Sequence, residues 1–378
     1  MLIERFLRIL QRYDWVLLLC VFSLFAFGLS AIYSVELSQE SADFWLFKKQ
    51  LIALAIGVVL MFFVSQSNHL QLRNYGRGFY LFGLTLLVLV LFFGRELNGT
   101  TGWFIVGPVS FQPVEFMKLA LAIELARYFG EHAHRRFSWR DIFGSGLLVA
   151  APVGLTMLQP DLGSASLLIG MWVIVLFFAG LRKSHVLVLG ILGVILVASS
   201  WFIFFDDYQK ERVYVFLDPS RDALVSGYNI TQAKIAIGSG QLFGRGLGFG
   251  SQSQLKFLPS SQTDFVFAVV AQELGFVGVF LLLMAFAVLF WRILRIARIS
   301  NDNFTSFLVI AIFGGLFVQT FINIGVDLAI LPATGVALPL VSYGGSSLIL
   351  SLVMLGVIES IYMHERSRGS LVTGPRLE

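Results

Sequence analysis

Charged residues are scarce in this sequence of 378 residues: Asp, Glu, Lys and Arg together make up 13% of it. A soluble domain carries about 25%, so the shortage excludes an ordinary soluble enzyme, a disordered scaffold and a nucleic-acid-binding protein. Cysteine is nearly absent, because Cys20 is the only one. The chain can therefore form neither an internal disulfide nor a thiolate metal cluster.

Hydrophobic residues are abundant, at 57% of the sequence, and include 38 Phe. A helix that crosses a bilayer needs about 20 apolar residues, because its backbone must satisfy all hydrogen bonds internally. The sequence therefore predicts a single all-α polytopic membrane domain over residues 1–378, with about ten transmembrane helices. The predicted spans are residues 15–33, 50–65, 78–94, 112–130, 142–158, 163–180, 186–205, 265–291, 304–325 and 344–363.

The distribution of basic residues predicts the orientation of these helices. Of the 27 Lys and Arg residues, 17 fall in the tails and short loops on one side, and three fall in the short loops on the other. Because short cytoplasmic loops carry the excess of positive charge, both termini are predicted to be cytoplasmic. This places the segment 206–264, between predicted helices seven and eight, on the extracytoplasmic side.

The segment 206–264 is long for a connection, and such loops usually carry function or are disordered. It combines aromatic residues with six basic ones. That mixture favours an ordered, partly membrane-embedded loop that contacts anionic head groups or a lipid-linked substrate. The alternative is a solvated loop whose charges interact with ordinary lipid phosphates.

Ionisable residues within membrane spans cost about 2.5–3.5 kcal/mol or more each, and are therefore functional candidates. Glu115 and Lys118 are three residues apart on one predicted helix and can pair. They could form a structural ion pair, or Lys118 could bind a phosphate while Glu115 holds it in place. The candidates within the spans or at their ends are Glu115, Lys118, Glu124, Asp264, Glu273, Asp327 and Glu359, with Asp161 in a short turn between two spans.

Asp264 is different because it has no cation at helical spacing and opens an apolar helix. It could cap that helix, for which Asp is well suited. It could also be a general base, because a hydrophobic environment raises the pKa of a carboxyl group. Glu273 lies nine residues later, roughly on the opposite face of the helix, and is expected to brace another helix or loop.

Several common sites are missing from the sequence. The glycine-rich run from Gly238 to Gly250 matches neither the P-loop nor the dinucleotide-binding fingerprint, so nothing supports ATP hydrolysis. Its glycines are expected to allow tight turns and close backbone approach. All five histidines lie in or beside predicted cytoplasmic segments, so no histidine metal site is expected on the outer side.

Five motifs occur in order along the chain, and together they resemble one known family. The pattern is similar to that of the SEDS proteins (shape, elongation, division and sporulation), and is most like the elongation-type RodA proteins rather than the division-type FtsW proteins. The motifs are FQPVEFMK at 111–118, QPDLG at 159–163, IAIGSG at 235–240, FLP with TDF at 257–265, and PLVSYGGSS at 339–347.

The resemblance implies a peptidoglycan glycosyltransferase that polymerises lipid II on the outer face of the bacterial cytoplasmic (inner) membrane, in the service of cell elongation and rod shape. It implies two partners besides membrane lipid: lipid II and a class B penicillin-binding protein that supplies transpeptidation. No cofactor is certain, although a divalent cation such as Mg²⁺ or Mn²⁺ could assist departure of the diphosphate. A division-type polymerase and a lipid II flippase are the alternatives.

The resemblance also indicates which residues form the site. Asp264 matches the essential aspartate of the family and is the predicted catalytic base. The predicted substrate-binding residues are Lys118, Glu115, Arg212, Lys234, Asp161 and Ser342.

Overall fold

The computed structural model describes residues 11–37, 44–97, 99–107, 109–133, 137–203, 207–218, 226–255 and 257–372. Over these residues the chain is predominantly helical. The helices are α1 (Trp15–Leu37), α2 (Trp45–Gln66), α3 (Gln71–Phe93), α4 (Pro113–His132), α5 (Trp139–Met157), α6 (Leu162–Phe178), α7 (Lys183–Ile203), α8 (Asp207–Leu217), α9 (Ser226–Ser239), α10 (Ser251–Gln254), α11 (Val266–Ile299), α12 (Asn303–Asp327) and α13 (Gly345–Val372).

Each of the ten apolar runs in the sequence coincides with one helix, α1 to α7 or α11 to α13. Six of these helices are long and apolar enough to cross a membrane: α1, α2, α3, α11, α12 and α13 as far as Ser367. Two further apolar stretches, α6 and the first part of α7, are shorter. The protein is thus a multi-pass membrane protein, and ten crossings remain a prediction.

A small antiparallel sheet, which the sequence analysis did not predict, lies between α3 and α4 of the otherwise helical bundle. Its strands β1 (Arg95–Leu97), β2 (Thr100–Val106) and β3 (Val109–Phe111) lie side by side in chain order. Phe104 pairs with Phe111 across β2 and β3. The strands are too short to give an alternating pattern that could be recognised in the sequence.

Helix α12 is at the centre of the bundle and packs against α4, α6 and α11. In addition, α2 packs on α13, and α1 packs on α11. Large buried side chains such as Phe304, Met117, Leu168 and Met171 fill the space between these helices. The packing gathers the N-terminal ends of α4, α6, α11 and α13 at one end of the bundle, close to the C-terminal end of α12.

The backbone of the glycine-rich run forms hydrogen bonds with the backbone of α11 where that helix is interrupted at Gly275. The close backbone approach expected for this run is therefore confirmed. Gly275 has φ 66° and ψ −164° inside the helix, a left-handed conformation that favours glycine. The amide of Phe276 donates to the carbonyl of Gln241 at 2.8 Å, and the amide of Arg245 donates to the carbonyl of Gln272 at 3.0 Å. The loop thus replaces helical hydrogen bonds that the break removes.

Glu273 braces α1, as expected from its position. The Ser34 hydroxyl of α1 donates to Glu273 Oε1. Ser34 Oγ also accepts from the amide of Gly248 at 3.0 Å. The Ser34 hydroxyl thus joins α1 to both α11 and the glycine-rich run.

Carboxylates at the other end of the bundle have local partners. Arg292 of α11 forms an ion pair with Asp14. The Asp14 amide donates to Glu359 Oε2 of α13 at 3.1 Å. Glu124 pairs with Arg127 on α4. The contacts of Asp14 join the start of α1 to α11 and α13, whereas the Glu124–Arg127 pair lies within α4; both are away from the site described next.

The segment 206–264 is ordered over its described residues, where it forms α8, α9 and α10. The side-chain amide of Gln272 on α11 donates, through Nε2, to Ser239 Oγ of α9 at 3.3 Å. Two of its six basic residues, Arg221 and Lys256, lie outside the described residues. Its position on the extracytoplasmic side remains a prediction.

Candidate active site

A cavity with about 980 Å³ of atom-free space, its mouth included, lies at the end of the bundle where α4, α6, α11 and α13 begin. Its charged lining residues are Glu115, Asp161, Arg212 and Asp264. Four of the seven residues predicted from the sequence therefore line one cavity, although they lie far apart in the chain.

Asp264 is in the turn that leads into α11. Its amide donates to the carbonyl of Ser260 at 3.1 Å. The structure does not show it as the helix cap, because the N-cap position is Phe265 and that residue makes no capping side-chain hydrogen bond. The side chain is half-buried and lines the cavity, so the carboxylate is available for chemistry.

The surroundings of Asp264 make its carboxylate a stronger base than an exposed carboxylate. Burial raises the pKa of its carboxyl group above the ordinary value, while a hydrogen bond with Thr263 and the positive charge of Arg212 partly oppose this rise. A Cβ added at Gly335, which has φ 71°, would be in ordinary van der Waals contact with Asp264 Oδ2, at 3.9 Å. The segment that contains Gly335 therefore lies beside the carboxylate.

Asp161 caps α6. Its Oδ1 accepts from the amide of Ser164 at 2.8 Å, and its Oδ2 accepts from the Ser164 hydroxyl at 2.7 Å. The side-chain amide of Gln112 also donates to Oδ2, at 3.3 Å. Burial raises the pKa of Asp161, and the Ser164 hydrogen bonds oppose that rise. Its hydrogen bonds make Asp161 a structural element of the cavity wall.

Glu115 and Lys118 form the ion pair that their spacing predicts. Lys118 Nζ is 2.7 Å from Glu115 Oε2, and it also donates to Gln319 Oε1 of α12 at 2.9 Å. Lys118 is 3% exposed and does not line the cavity, whereas Glu115 and Gln319 do. In this conformation the lysine lies one layer behind the wall, where it holds two lining side chains.

The other predicted residues have different positions. Arg212 of α8 lines the cavity, and its Nη1 donates to the carbonyl of Ala333 at 3.3 Å. The hydroxyl of Ser342 donates to the carbonyl of Thr263 at 2.5 Å and accepts from the amide of Leu338 at 2.8 Å. Ser342 thus supports the turn that carries Asp264. Lys234 is exposed on α9 and is not part of the lining.

The donor groups do not suggest a built metal site. Within the described part of the chain, no three His, Cys, Asp or Glu side chains converge in a way that could hold a metal ion. Two of the three carboxylates in the cavity already have partners: Asp161 binds Ser164, and Glu115 binds Lys118. No step is therefore assigned to a protein-bound cation.

A family model described as "Cell cycle protein", which covers the FtsW, RodA and SpoVE proteins, matches residues 14–367. The chain belongs to the SEDS family. It is 38% identical to the stage V sporulation protein E of Bacillus subtilis (strain 168), with 93% of this chain and 98% of that protein covered. It is 36% identical to the peptidoglycan glycosyltransferase MrdB of Escherichia coli (strain K12), with 93% and 94% covered.

Solved structures agree with this membership. The chain superposes with a TM-score of 0.77 and 34% identity on a protein from a study of "structural coordination of polymerization and crosslinking by a peptidoglycan synthase complex", with 93% of this chain and 98% of that one covered. It superposes on the rod shape determining protein RodA of Thermus thermophilus with a TM-score of 0.70 and 32% identity, over 93% of this chain and 96% of that one.

Sequence reasoning missed several residues that shape the cavity of this SEDS protein. Gln112, Gln319 and Tyr343 line it, while Asn323 contacts the backbone carbonyl of Asp264 and Asp327 contacts the backbone amide of Ala268. Asp327 stood out in the sequence only as a charge within a span. The spacing of Gln319, Asn323 and Asp327 by four residues was the one signal that could have identified the group.

Proposed function

We propose that this SEDS protein is a peptidoglycan glycosyltransferase that polymerises lipid II, with Asp264 as the general base. The observation that carries the proposal is the position of the Asp264 carboxylate, which lines a cavity and caps no helix. The printed activity of the relative MrdB, a peptidoglycan glycosyltransferase, supports the reaction class.

The reaction joins two lipid-linked sugars. Asp264 accepts the proton of the 4-hydroxyl of the acceptor's N-acetylglucosamine while that oxygen attacks the anomeric carbon of the donor strand. The new C–O glycosidic bond forms as the bond between the anomeric carbon and the lipid diphosphate breaks. The electron pair leaves with the diphosphate, and the proton stays on Asp264 until it passes to solvent. A positioned base of this kind contributes about 10²- to 10⁴-fold.

The departing undecaprenyl diphosphate develops negative charge, which a fixed cation stabilises efficiently in a site with little water. Arg212 is the cation that lines the cavity. Lys118, which lies behind the cavity wall, is proposed as a second cation for the diphosphate. It would exchange its hydrogen bond to Gln319 for one to a diphosphate oxygen. Lys234, exposed on α9, is proposed to contact head groups or diphosphate at the rim. A requirement for Mg²⁺ or Mn²⁺ would be detected by chelation and add-back.

The proposed setting is the cytoplasmic membrane of a bacterium, with the cavity facing outward, because lipid II is consumed on that side. A class B penicillin-binding protein is the proposed partner. The similarity to a structure from a study of a peptidoglycan synthase complex supports this pairing.

Elongation is the proposed cellular role. The relatives include sporulation, MrdB and FtsW proteins at 36–38% identity, so the phenotype on depletion has to separate elongation from division.

The decisive experiment is Asp264→Asn in the purified protein, supplied with lipid II and analysed on a gel for glycan polymer. The amide keeps the size of the side chain but cannot accept the proton, so polymerisation should fall at least 10²-fold. Asp161→Asn is the matched control in the same cavity: its single amide oxygen can still accept from the Ser164 backbone amide, and Asp161 is not the proposed base, so a smaller loss is expected. Full activity of Asp264→Asn would refute the assignment.

The same assay separates a polymerase from a flippase. A flippase would move lipid II across a vesicle membrane without forming polymer, and would not depend on a base at Asp264. Polymer formation by the purified protein, with or without the penicillin-binding protein, supports the glycosyltransferase.

A further inference from the structure

Three polar residues form a row on α12, which is otherwise largely apolar. Gln319, Asn323 and Asp327 are spaced by four residues and therefore share one face of the helix. They are 2%, 1% and 0% exposed. Polar groups at membrane depth are costly unless they are bonded, so a row of three requires an explanation. We call these three residues the polar row.

The first two members of the polar row hold the cavity wall. Gln319 Nε2 donates to the carbonyl of Ala337 at 2.9 Å. Asn323 Nδ2 donates to the carbonyl of Val336 at 2.8 Å and to the carbonyl of Asp264 at 2.7 Å. A single amide group thus ties the wall segment to the backbone of the proposed base.

Asp327 performs a capping function for a neighbouring helix. Its Oδ2 accepts from the amide of Ala268, in the first turn of α11, at 3.0 Å. Amides in the first turn of a helix have no partner within the helix, and the N-cap residue of α11, Phe265, makes no capping side-chain bond. Asp327 therefore fixes the start of α11 from the end of α12.

Together the two bonds fix the backbone that directly follows the Asp264 side chain, from the carbonyl of Asp264 to the first turn of α11. Asn323 binds the carbonyl of Asp264 itself, and Asp327 binds the amide four residues later. A displacement of about 1 Å in a catalytic group can cost about 10²-fold in rate. Both α12 residues lie outside the cavity lining, so they act on the reaction through the position of the base.

We propose that Asn323 and Asp327 are positioning residues that set the place of the Asp264 carboxylate, and that Asp327 serves as a hydrogen-bond acceptor whose negative charge is not required. The proposal rests on the proposed function of Asp264. Asp327 Oδ1 is buried and has no hydrogen-bond partner among the described residues, and its Oδ2 needs only to accept one N–H. An amide oxygen can do the same.

The experiment compares kcat and KM for lipid II among purified variants. Asn323→Ala and Asp327→Leu should each lower kcat at least 10-fold, with KM within about 2-fold of the parent, because substrate contacts are unchanged and the base is displaced. Asp327→Asn should restore kcat to within about 3-fold, because its side-chain oxygen can still accept from Ala268. Phe321→Leu, on the exposed face of the same helix, is the control and should leave kcat unchanged.

The amount of folded protein is measured for each variant by size-exclusion chromatography and thermal unfolding, and kcat is expressed per folded molecule. A purely structural role would lower yield or Tm and leave that kcat intact, which would overturn the proposal. Asp327→Asn as inactive as Asp327→Leu would overturn the claim that charge is not needed. If Asp327→Leu does not fold, Asn323→Ala and Asn323→Ser decide whether positioning occurs.

Asp264→Asn, measured in parallel, separates the positioning role of Asn323 and Asp327 from the proposed role of Asp264 as the base. If Asp264→Asn is inactive while Asn323→Ala and Asp327→Leu keep the parental kcat, the positioning proposal fails and the proposed function stands. If Asp264→Asn remains fully active, the base assignment itself fails, whatever the polar row does.

Discussion

At the scale of single residues, two carboxylates in one cavity differ in what they can do. Asp161 uses both oxygens to cap α6 through Ser164. Asp264 makes no such cap. Burial raises the pKa of both, and Arg212 opposes the rise in both. The difference in hydrogen bonding, more than the shared burial, marks Asp264 as the group that can exchange a proton.

Arg212 should therefore influence the pH dependence of the reaction. The base must be ionised, so activity is lost as the pH falls through the pKa of Asp264, which burial has raised and Arg212 has partly lowered. Replacing Arg212 with Met removes the lowering effect, so the acid limb of the kcat profile should move to higher pH.

The experiment measures the pH at which kcat falls on the acid side of its profile. The rate itself is not used, because Arg212→Met is also expected to lower kcat through weaker diphosphate binding. The carboxylates that share the cavity, Glu115 and Asp161, are unchanged in this variant. Lys210→Met, two positions earlier on α8 and outside the cavity lining, provides the control for loss of one positive charge. An acid limb that stays in place or moves to lower pH would contradict the influence of Arg212 on Asp264.

Some of these residue contacts could be predicted and others could not, for a physical reason. Glu115 and Lys118 are three residues apart, so helix geometry alone predicted their pairing, which the structure confirms. Gln319 is 201 positions from Lys118, and Asn323 is 59 from Asp264. Contacts at such separations depend on how helices pack, which local spacing does not reveal. Asp264 was a candidate from its place at the start of an apolar helix, and the family motif around it added the prediction that it is the catalytic base.

At the scale of elements, long apolar runs were predictable because a bilayer allows few alternatives to a helix. The run predicted at 265–291 corresponds to α11, which extends to Ile299. The strands β1 to β3 could not be read from the sequence, since three to seven residues give too little pattern. The break at Gly275 was also hidden, because its compensation comes from a distant loop.

Gly275→Ala should destabilise the protein. At φ 66° and ψ −164° an L side chain is strained by about 1–3 kcal/mol, and a Cβ there would lie 2.7 Å from the carbonyl carbon of Leu242. The apparent Tm of the purified variant should fall, and activity should fall with it because the first turns of α11 follow directly from Asp264. Gly238→Ala on α9 is the control. A Cβ there meets nothing within 4 Å, so Tm should hold or rise. Equal Tm values for the two variants would contradict the account of the break.

At the scale of the whole molecule, the helices separate two polar ends. One end has the cavity with Asp264, and the other has the Asp14, Arg292 and Glu359 cluster. The excess of basic residues in the tails and short loops at the second end predicts that this end is cytoplasmic. The cavity then faces outward, and this orientation decides whether the enzyme can meet externalised lipid II.

Cysteine labelling can test this orientation, because the one native cysteine is buried and can be replaced with Ala. Val109, exposed on β3 near the start of α4, lies at the cavity end. Lys183, exposed at the start of α7, lies at the opposite end. A maleimide that cannot cross the cytoplasmic membrane should label Val109→Cys in intact spheroplasts, and should label Lys183→Cys only after the membrane is permeabilised. The reverse pattern would place Asp264 on the cytoplasmic side, where a polymerase of externalised lipid II could not work, and would leave the flippase as the better explanation of the cavity.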